Sequence, residues 1–199
     1  MPKIVDHAAR RREIVEACLR VVSRAGLAAA TTREIAQEAG VSHGIIAHYF
    51  DGKDEILRAA LQLSYEQLAE RIDQDLSGVS GAAALRQAVR GALPISPEDR
   101  TGEQIELAFW GYAMGNPALA EERWRSYAES RRLLEALVRA AQAPGEGYDP
   151  AVVAETLIAL IDGLGAQVAL YPDRLTAERL YAIADATLSA FGFVVDDGD

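Results

Sequence analysis

Residues 31 to 53 carry two short helical patterns, each with its own start signal, joined by a glycine. Thr31 is followed three residues later by Glu34, the spacing of a capping box, in which each side chain satisfies the other residue's free backbone N–H. Gly40 follows the first pattern and readily adopts the left-handed conformation that ends a helix, and Ser42 predicts the start of a second helix. Two helices joined by a short turn that contains glycine are typical of a helix-turn-helix, a unit that reads double-stranded DNA.

The segment before this pair predicts a third helix with one wholly apolar face. Its apolar residues recur at helical spacing, and they are Ile14, Ala17, Cys18, Val21, Val22 and Ala25. Gly26 marks the end of that helix. A buried thiol without cationic neighbours is inert, so core packing is favoured over redox sensing for Cys18. We expect residues 1–52 to form a three-helix DNA-binding domain with its own small core.

Eight residues at fixed spacing carry a resemblance to a known family, namely Thr31, Gly40, Val41, Ser42, Gly44, Tyr49, Phe50 and Lys53. This pattern resembles the DNA-binding region of TetR-family transcriptional regulators. The string Gly-Ile-Ile-Ala-His-Tyr-Phe over residues 44–50 is similar to the branch typified by the repressor of the choline-to-betaine pathway. Two positions depart from the commonest pattern, since Ile45 replaces a small hydroxyl residue and Ala47 replaces a tyrosine. The DNA contacts are therefore expected to be specific to this branch.

The second helix of a helix-turn-helix enters the major groove with its N-terminal residues toward the base edges. We expect the bases to be faced by His43, Gly44, Ile45 and Ile46. The expected phosphate contacts are Arg33, Ser42, the backbone of Ala47, Tyr49 and Lys53. A phosphate is also a suitable partner for His43, and His48 suits either a phosphate or a neighbouring helix.

The net charge of −10 at first argues against a protein that binds nucleic acid. The charge is unevenly divided, however, because residues 1–60 hold nine Lys/Arg against eight Asp/Glu, whereas residues 61–199 hold eleven against twenty-two. Lys3 and the run from Arg10 to Arg12 form a basic arm at the N-terminus. Such an arm can reach phosphate or the minor groove, and a solvated helix start explains it equally well. The acidic balance therefore lies downstream and does not exclude DNA binding.

Beyond Lys53 the chain shows helical periodicity and no alternating strand pattern. The expected helices are 53–76, 81–93, 101–115, 117–142, 150–171 and 177–193, with breaks at Pro94 and Pro97. The predicted fold is all-α with about nine helices, in which a C-terminal helical bundle over residues 53–199 follows the helix-turn-helix domain. This bundle is expected to bind an effector and to dimerise. The family resemblance also implies that the helix after Lys53 is a lever that sets the separation of two recognition helices.

An uncharged segment over residues 107–114 predicts a helix that is apolar around its whole circumference. Together with aromatic residues on the next helix, it suggests a concave, mostly apolar pocket for a small molecule. The candidate lining residues are Tyr65, Phe109, Trp110, Met114, Trp124, Tyr127 and Arg131. The alternative is that these rings simply fill a core. For a quaternary ammonium effector, which the branch resemblance suggests, Trp110, Trp124 or Tyr127 would supply cation–π contacts.

The last two predicted helices carry more apolar surface than one core needs, which indicates a homodimer. The stripes assigned to the interface are Val153, Leu157, Leu160, Ile161, Leu164 and Val168 on one helix and Leu180, Ile183, Leu188 and Phe191 on the other. Two helices from each of two chains can close a four-helix interface with two-fold symmetry. The alternative is that both stripes pack internally. A palindromic operator needs a two-fold protein, which favours the dimer.

The sequence offers little support for an enzyme, a cofactor or a metal. His43 and His48 are five positions apart and so diverge by about 140° around a helix, which prevents both from binding one metal ion. A single cysteine, with neither a signal peptide nor an apolar run of 18 residues, predicts a cytoplasmic protein without membrane contact.

These features together predict a ligand-responsive transcriptional regulator. We expect a homodimeric repressor that binds a palindromic DNA operator and is released by a small-molecule effector that binds a DNA-incompetent conformation better. The alternatives are a dimeric small-molecule-binding protein and an architectural DNA binder without an effector switch.

Overall fold

In the computed structural model, residues 7–143 and 147–194 are described, and all regular elements within these ranges are helical. Nine α-helices occur in this part of the chain: α1 His7–Ala25, α2 Thr32–Glu38, α3 His43–Tyr49, α4 Lys53–Asp75, α5 Gly81–Gly91, α6 Pro97–Met114, α7 Pro117–Ala141, α8 Pro150–Leu170 and α9 Ala177–Ala190. A short 3-10 turn at Leu27–Ala29 joins α1 to α2. The predicted all-α fold of about nine helices is confirmed.

Several helices begin at the start signals read from the sequence. The Thr31 hydroxyl accepts a hydrogen bond from the Glu34 N–H at the start of α2, at 3.2 Å. The other half of the expected capping box is not formed, because the Thr31 N–H donates instead to the Ala29 carbonyl at 2.7 Å. Asp149 and Thr176 cap α8 and α9 through their side chains. Local side-chain chemistry therefore sets the first turn of each of these helices.

The start of α6 corrects the predicted break at Pro97. The Ser96 hydroxyl accepts a hydrogen bond from the Asp99 N–H at 3.1 Å, and the Asp99 carboxylate accepts one from the Ser96 hydroxyl at 2.8 Å. Pro97 is the first helical residue, where its missing N–H costs nothing because that donor has no partner within the helix. The predicted start at residue 101 was wrong because Pro97 begins this helix rather than interrupting it.

Two compact units are distinguished by their internal contacts. The described residues of the first lie within Met1–Gln67 and Ser96–Phe109, and those of the second within Leu68–Ile95 and Trp110–Asp199. The first turns of α4 belong to the first unit because Ile56, Leu57 and Ala60 are buried in its core. The functional division between residues 1–52 and 53–199 remains a prediction, since compactness and function need not share a boundary.

The core of the first unit is formed mainly by side chains of α1 and α4, with fewer from α2, α3 and α6. Its fully buried large side chains include Ile14, Val21, Val22, Ile35, Ile56 and Leu57. All of the expected apolar face of α1 except Ala25, which is exposed, lies in this core. The buried part includes Cys18, whose burial raises the pKa of its thiol to about 12. At neutral pH the thiol is therefore protonated, which suits core packing rather than redox chemistry.

The core of the second unit is formed by side chains from α5, α7, α8 and α9. Its buried residues include Leu85, Val89, Val138, Val153, Leu157 and Leu180. Beside this core, Asp185 of α9 accepts hydrogen bonds from Arg86 and Arg90 of α5, with the Arg86 Nε to Oδ1 distance at 3.0 Å. The Arg90 guanidinium also stacks on the Tyr181 ring, with Cζ 4.8 Å from the ring centroid. This network ties α5 to α9.

Replacing Asp185 with asparagine should lower the free energy of unfolding by about 2 kcal/mol at pH 7. The hydrogen bonds from Arg86, and then those from Arg90, lower the pKa of Asp185 from 3.8 to about 2. Because folding lowers this pKa, the carboxylate stabilises the fold above about pH 4, and the contribution is lost as the pH falls toward 2.

Urea unfolding of wild type and Asp185→Asn at several pH values would measure this effect. The difference between the two proteins should shrink as the pH falls below 4. Asp173→Asn, a change of the same kind at an exposed position, should leave stability unchanged. Equal stability of wild type and Asp185→Asn at pH 7 would show that the hydrogen bonds of Asp185 contribute nothing to the free energy of unfolding.

Candidate nucleic-acid interface and ligand site

The turn between α2 and α3 has the geometry that the sequence predicted. Gly40 adopts the left-handed conformation with φ 67°. The Val41 N–H donates to the Ala36 carbonyl at 2.9 Å, so this carbonyl near the C-terminal end of α2 has a hydrogen-bond partner. Ile46 and Phe50 anchor α3 in the core of the first unit. The chain therefore turns sharply after α2 and presents one face of α3 to solvent.

The solvent-facing side of α3 carries most of the residues predicted to contact DNA. The exposed residues here are Ser42, His43, Gly44, Ile45, Ala47 and His48. Ile45 is 39% exposed, whereas Ile46 is only 2% exposed and packs in the core. The prediction that Ile46 faces a base was wrong, because its side chain holds α3 to the rest of the domain. The exposed face contains small, apolar and imidazole groups and no acidic group.

Two polar residues at the start of α3 have partners that differ from expectation. Ser42 stands at the cap position, but its side chain makes no capping hydrogen bond within the described chain. His43 Nε2 lies 3.0 Å from the Thr32 hydroxyl, so the first residue of α3 contacts the first residue of α2. Ser42 is exposed, as is Arg33 on α2, and both positions are accessible to a phosphate backbone.

The C-terminal end of α3 is held by Arg11, which the sequence had placed in the basic arm. The Arg11 guanidinium donates to the Tyr49 carbonyl and to the Glu55 carboxylate, the latter at 2.7 Å, and stacks on the Phe50 ring at 4.1 Å. Hydrogen bonds from Arg11 and from the Asp51 N–H lower the pKa of Glu55. Arg11 thus ties α1 to the end of α3 and the start of α4. The 44-residue separation from Glu55 left no local signal of this pairing.

Tyr49 and Lys53, the other expected phosphate contacts, lie at the same end of α3. The Tyr49 ring packs on His7, with the ring centroids 4.4 Å apart. The Lys53 ammonium donates to the Leu27 carbonyl at 3.2 Å, so it is anchored beside the turn that follows α1. An ammonium has three donors, and this bond uses one of them.

In the second unit, four side chains form what we call the Arg123 cluster: Trp110, Arg123, Tyr127 and Asp162. The Arg123 Cζ lies 4.6 Å from the Trp110 ring centroid and 4.4 Å from that of Tyr127. Arg123 donates to the Tyr127 hydroxyl, which donates to Asp162 at 2.8 Å, and Arg123 lies 3.9 Å from the Asp162 carboxylate. A guanidinium therefore faces two aromatic rings and a carboxylate. Sequence reasoning named both rings and missed Arg123, although the four-residue spacing to Tyr127 places both on one helical face.

The remaining predicted ligand residues are distributed over both units. Arg131 stacks on the Trp124 ring at 3.8 Å and lies 5.6 Å from the Tyr127 ring centroid. Trp124 is 59% exposed and Met114 is 87% exposed, so Met114 faces solvent. Tyr65 and Phe109 belong to the first unit, where Phe109 is part of the core. The structure therefore brings Trp110, Trp124, Tyr127 and Arg131 together through cation–π contacts.

Most of the predicted dimer stripe lies inside the single chain. Six of its residues are buried in the core of the second unit: Val153, Leu157, Leu164, Val168, Leu180 and Leu188. Their assignment to an interface was wrong, because side chains already packed within the chain have almost no surface to offer a partner. The other four, Leu160, Ile161, Ile183 and Phe191, are partly buried and pack against the same core. For these six residues, the structure contains the internal packing that the sequence analysis gave as the alternative to a dimer interface.

The opposite faces of α8 and α9 are exposed and carry, beside polar residues such as Glu155, Thr156 and Gln167, a set of small or apolar residues. They include Val152, Ala159, Gly163 and Leu170 on α8 and Ala182, Ala186 and Ala190 on α9. We call this set the α8–α9 outer face. By length and composition alone, α8 is also apolar enough to cross a membrane, a test that the core helix of a globular protein passes as well.

A helix-turn-helix unit followed by a second helical unit defines a class of DNA-binding transcriptional regulators. Residues 14–60 match the family model for bacterial regulatory proteins of the tetR family, and residues 81–192 match the model for the C-terminal domain of BetI-type transcriptional repressors. The chain belongs to the TetR family of transcriptional regulators, with a second half of the BetI type. The resemblance noted in the sequence is confirmed.

Relatives of known class cover almost the whole chain. The transcriptional regulator BetI 2 of Chromohalobacter salexigens is 32% identical over 98% of this chain and 97% of that protein. The regulator PksA of Bacillus subtilis is 32% identical over 181 residues, covering 90% of this chain and 88% of that protein. Such relatives are transcriptional regulators, and the chain is accordingly a regulator and not an enzyme.

Solved structures agree with this classification. A transcriptional regulator from Rhodococcus sp. is 28% identical and superposes with a TM-score of 0.80, covering 94% of this chain and 99% of that chain. A transcriptional regulator from Saccharomonospora viridis, solved in complex with choline, is 25% identical with a TM-score of 0.81, covering 92% of this chain and 96% of that chain.

Proposed function

We propose that the protein is a homodimeric repressor that binds a palindromic operator and leaves it when a small-molecule effector binds the second unit. The observation that carries this proposal is the exposed face of α3, which stands in helix-turn-helix geometry and carries no acidic group. A regulator of this kind acts on chromosomal DNA, so we place it in the cytoplasm.

The proposed DNA contacts follow from the exposure of α3. His43, Gly44 and Ile45 face bases, and the apolar surface of Ile45 suits the methyl group of a thymine in the major groove. The phosphate contacts are Arg33, Ser42, the Ala47 backbone, His48, Tyr49 and Lys53. Because the contacts to bases are few and weakly polar, phosphate contacts would supply much of the affinity and make it depend on salt.

We assign the dimer contact to the α8–α9 outer face. A two-fold operator is matched by a two-fold protein, in which the same patch of each protomer meets its copy. Small residues at the centre of that patch, Ala159 and Gly163, would let helices from two chains approach closely. Large residues at its ends, Val152 and Leu170, would bury apolar area on association.

We place the effector at the Arg123 cluster and the neighbouring pair of Trp124 and Arg131. Ring faces that already attract guanidinium groups at 3.8 to 4.6 Å would also attract a ligand cation. The choline bound by the structural relative from Saccharomonospora viridis supports the same class, a quaternary ammonium compound.

Selection of genomic fragments by the purified protein would test this proposal. We expect enriched fragments to share a palindrome whose half-sites are about 34–36 Å apart, or a multiple of that distance. Binding should weaken steeply as salt rises, whereas duplexes with one scrambled half-site should bind poorly. A dimer that binds ligand but no fragment would indicate a small-molecule-binding protein instead. Operator binding that no ligand alters would indicate an architectural role.

A further inference from the structure

We infer that Arg123 is a built-in cation that occupies the quaternary ammonium site, so that a cationic effector binds by displacing its guanidinium from the rings of Trp110 and Tyr127. This inference rests on the proposed effector class and names the residue that controls access to the site. It makes Arg123 a specificity-determining residue of the proposed effector site.

The first support is that Arg123 already makes the contacts that a quaternary ammonium would need. Cation-binding sites in proteins combine aromatic faces within about 6 Å of the charge. Arg123 meets this condition at both rings, with distances of 4.6 and 4.4 Å to the two centroids. The Asp162 carboxylate supplies the counter-charge, 3.9 Å from the guanidinium. A free cation and Arg123 would therefore compete for the same surface.

The second support is the electrostatic balance of the cluster. Arg123 and Asp162 carry one positive and one negative charge, and their side chains are only 22% and 26% exposed. A ligand cation placed on the Trp110 ring, 4.6 Å from the Arg123 Cζ, would lie within a few ångströms of that guanidinium and be repelled by it in a partly desolvated site. If the ligand cation replaces the Arg123 guanidinium, the net charge of the cluster stays the same. If the ligand binds beside the guanidinium, the cluster gains a positive charge.

The displacement would also change how three helices are tied together. Arg123 lies on α7, Trp110 on α6 and Asp162 on α8, so this one side chain links α7 to both other helices. A small ammonium ion can fill the space between the rings, but it is not covalently part of α7. Effector binding would therefore release a tie within the second unit, which is the kind of differential interaction that shifts a conformational equilibrium.

The test uses tetramethylammonium as the probe and direct calorimetric binding to the full-length protein without DNA. Arg123→Met removes the charge and keeps an unbranched side chain, and it should bind tetramethylammonium at least tenfold more tightly than wild type, a difference of about 1.4 kcal/mol. Arg123→Lys retains a cation and should bind as weakly as wild type. Adding Trp110→Leu to Arg123→Met should abolish the gain.

Arg125→Met provides the matched control. Arg125 lies on the same helix, is largely exposed and pairs with Glu121 at 3.4 Å, so removing its charge should leave tetramethylammonium binding as in wild type. Equal or weaker binding by Arg123→Met, or the same gain in Arg125→Met, would overturn the inference.

A crystal structure of the wild-type protein soaked with tetramethylammonium tests the inference without any substitution, so the test does not depend on whether Arg123→Met folds. The inference requires that the guanidinium of Arg123 has left the Trp110 ring and that the ammonium has replaced it. A bound ammonium elsewhere, with Arg123 in place, would overturn it. These experiments contain no DNA, so a negative result would contradict the inference about Arg123 without contradicting the proposed repressor function. The repressor function is tested separately by fragment selection.

Discussion

Ala159→Arg should yield a folded monomer whose affinity for the palindromic operator falls by two to four orders of magnitude, on the scale expected when one of two linked binding modules is lost. Ala159 is exposed on α8, near the centre of the α8–α9 outer face. An arginine there would hold two helices apart and bury an unpaired charge at the interface, which costs several kcal/mol. Within the isolated chain the new side chain would point into solvent, so folding should be unaffected.

Light scattering and operator binding by fluorescence anisotropy would check this result. Ala140→Arg makes the same change at an exposed position on α7 and should remain dimeric with normal affinity. A half-site duplex should bind Ala159→Arg and wild type with more similar affinities than the full palindrome does. If Ala159→Arg remains a dimer at micromolar concentration, the α8–α9 outer face is not the interface.

Gly44→Ala should change stability and DNA binding in opposite directions. Gly44 lies within α3 without a positive φ, and a Cβ added there would meet no atom within 4 Å apart from its chain neighbours and the backbone of its own helix. The fold therefore has no need of glycine at this position, and alanine should stabilise the helix by roughly 0.5–1 kcal/mol. The same methyl group would stand at the centre of the exposed face of α3, where the bases are expected to approach.

Overpacking of a close contact costs about 1–3 kcal/mol, so operator affinity should fall by roughly 10- to 100-fold in Gly44→Ala. Thermal unfolding and anisotropy on one protein preparation would measure both effects. Gly111→Ala is the matched control, because Gly111 is an exposed helical glycine with equally open surroundings, and it should be stabilised without losing affinity. Unchanged affinity of Gly44→Ala for an operator that wild type binds would remove α3 from close contact with DNA.

Local signals made the helix-turn-helix predictable. Thr31 and Gly40 act within one or two turns of chain, so their roles do not depend on distant residues. The orientation of α3 was harder, since Ile45 and Ile46 are both apolar and lie about 100° apart around the helix. A helix of seven residues is too short for its periodicity to show which one points inward. The turn geometry and the core decide that question, and they place Ile46 inside.

The larger errors in the sequence predictions concerned apolar stripes, because the same pattern is expected for a helix face in the core and for one in a dimer interface. The sequence showed that α8 is apolar on two sides, and the side with larger residues was assigned to the partner. In the structure most of those larger residues lie in the core that α8 shares with α5, α7 and α9, whereas on the other side Ala159 and Leu170 are exposed. The small residues Ala154 and Gly165 are also buried. The sequence did not predict the role of Arg123 for a different reason. Its carboxylate partner Asp162 lies 39 positions away, and only the fold brings the two side chains together.

The helix α6 contributes consecutive residues to two different clusters, Phe109 to the core of the first unit and Trp110 to the Arg123 cluster of the second. Consecutive Cα atoms are about 3.8 Å apart within a stiff hydrogen-bonded helix, so a shift of one residue is transmitted to the other. If this continuity carries the coupling between effector and operator, thermodynamic linkage makes it reciprocal. Operator DNA would then weaken effector binding by the same factor by which the effector weakens operator binding, and the protein's sensitivity to its effector would depend on how much operator is present.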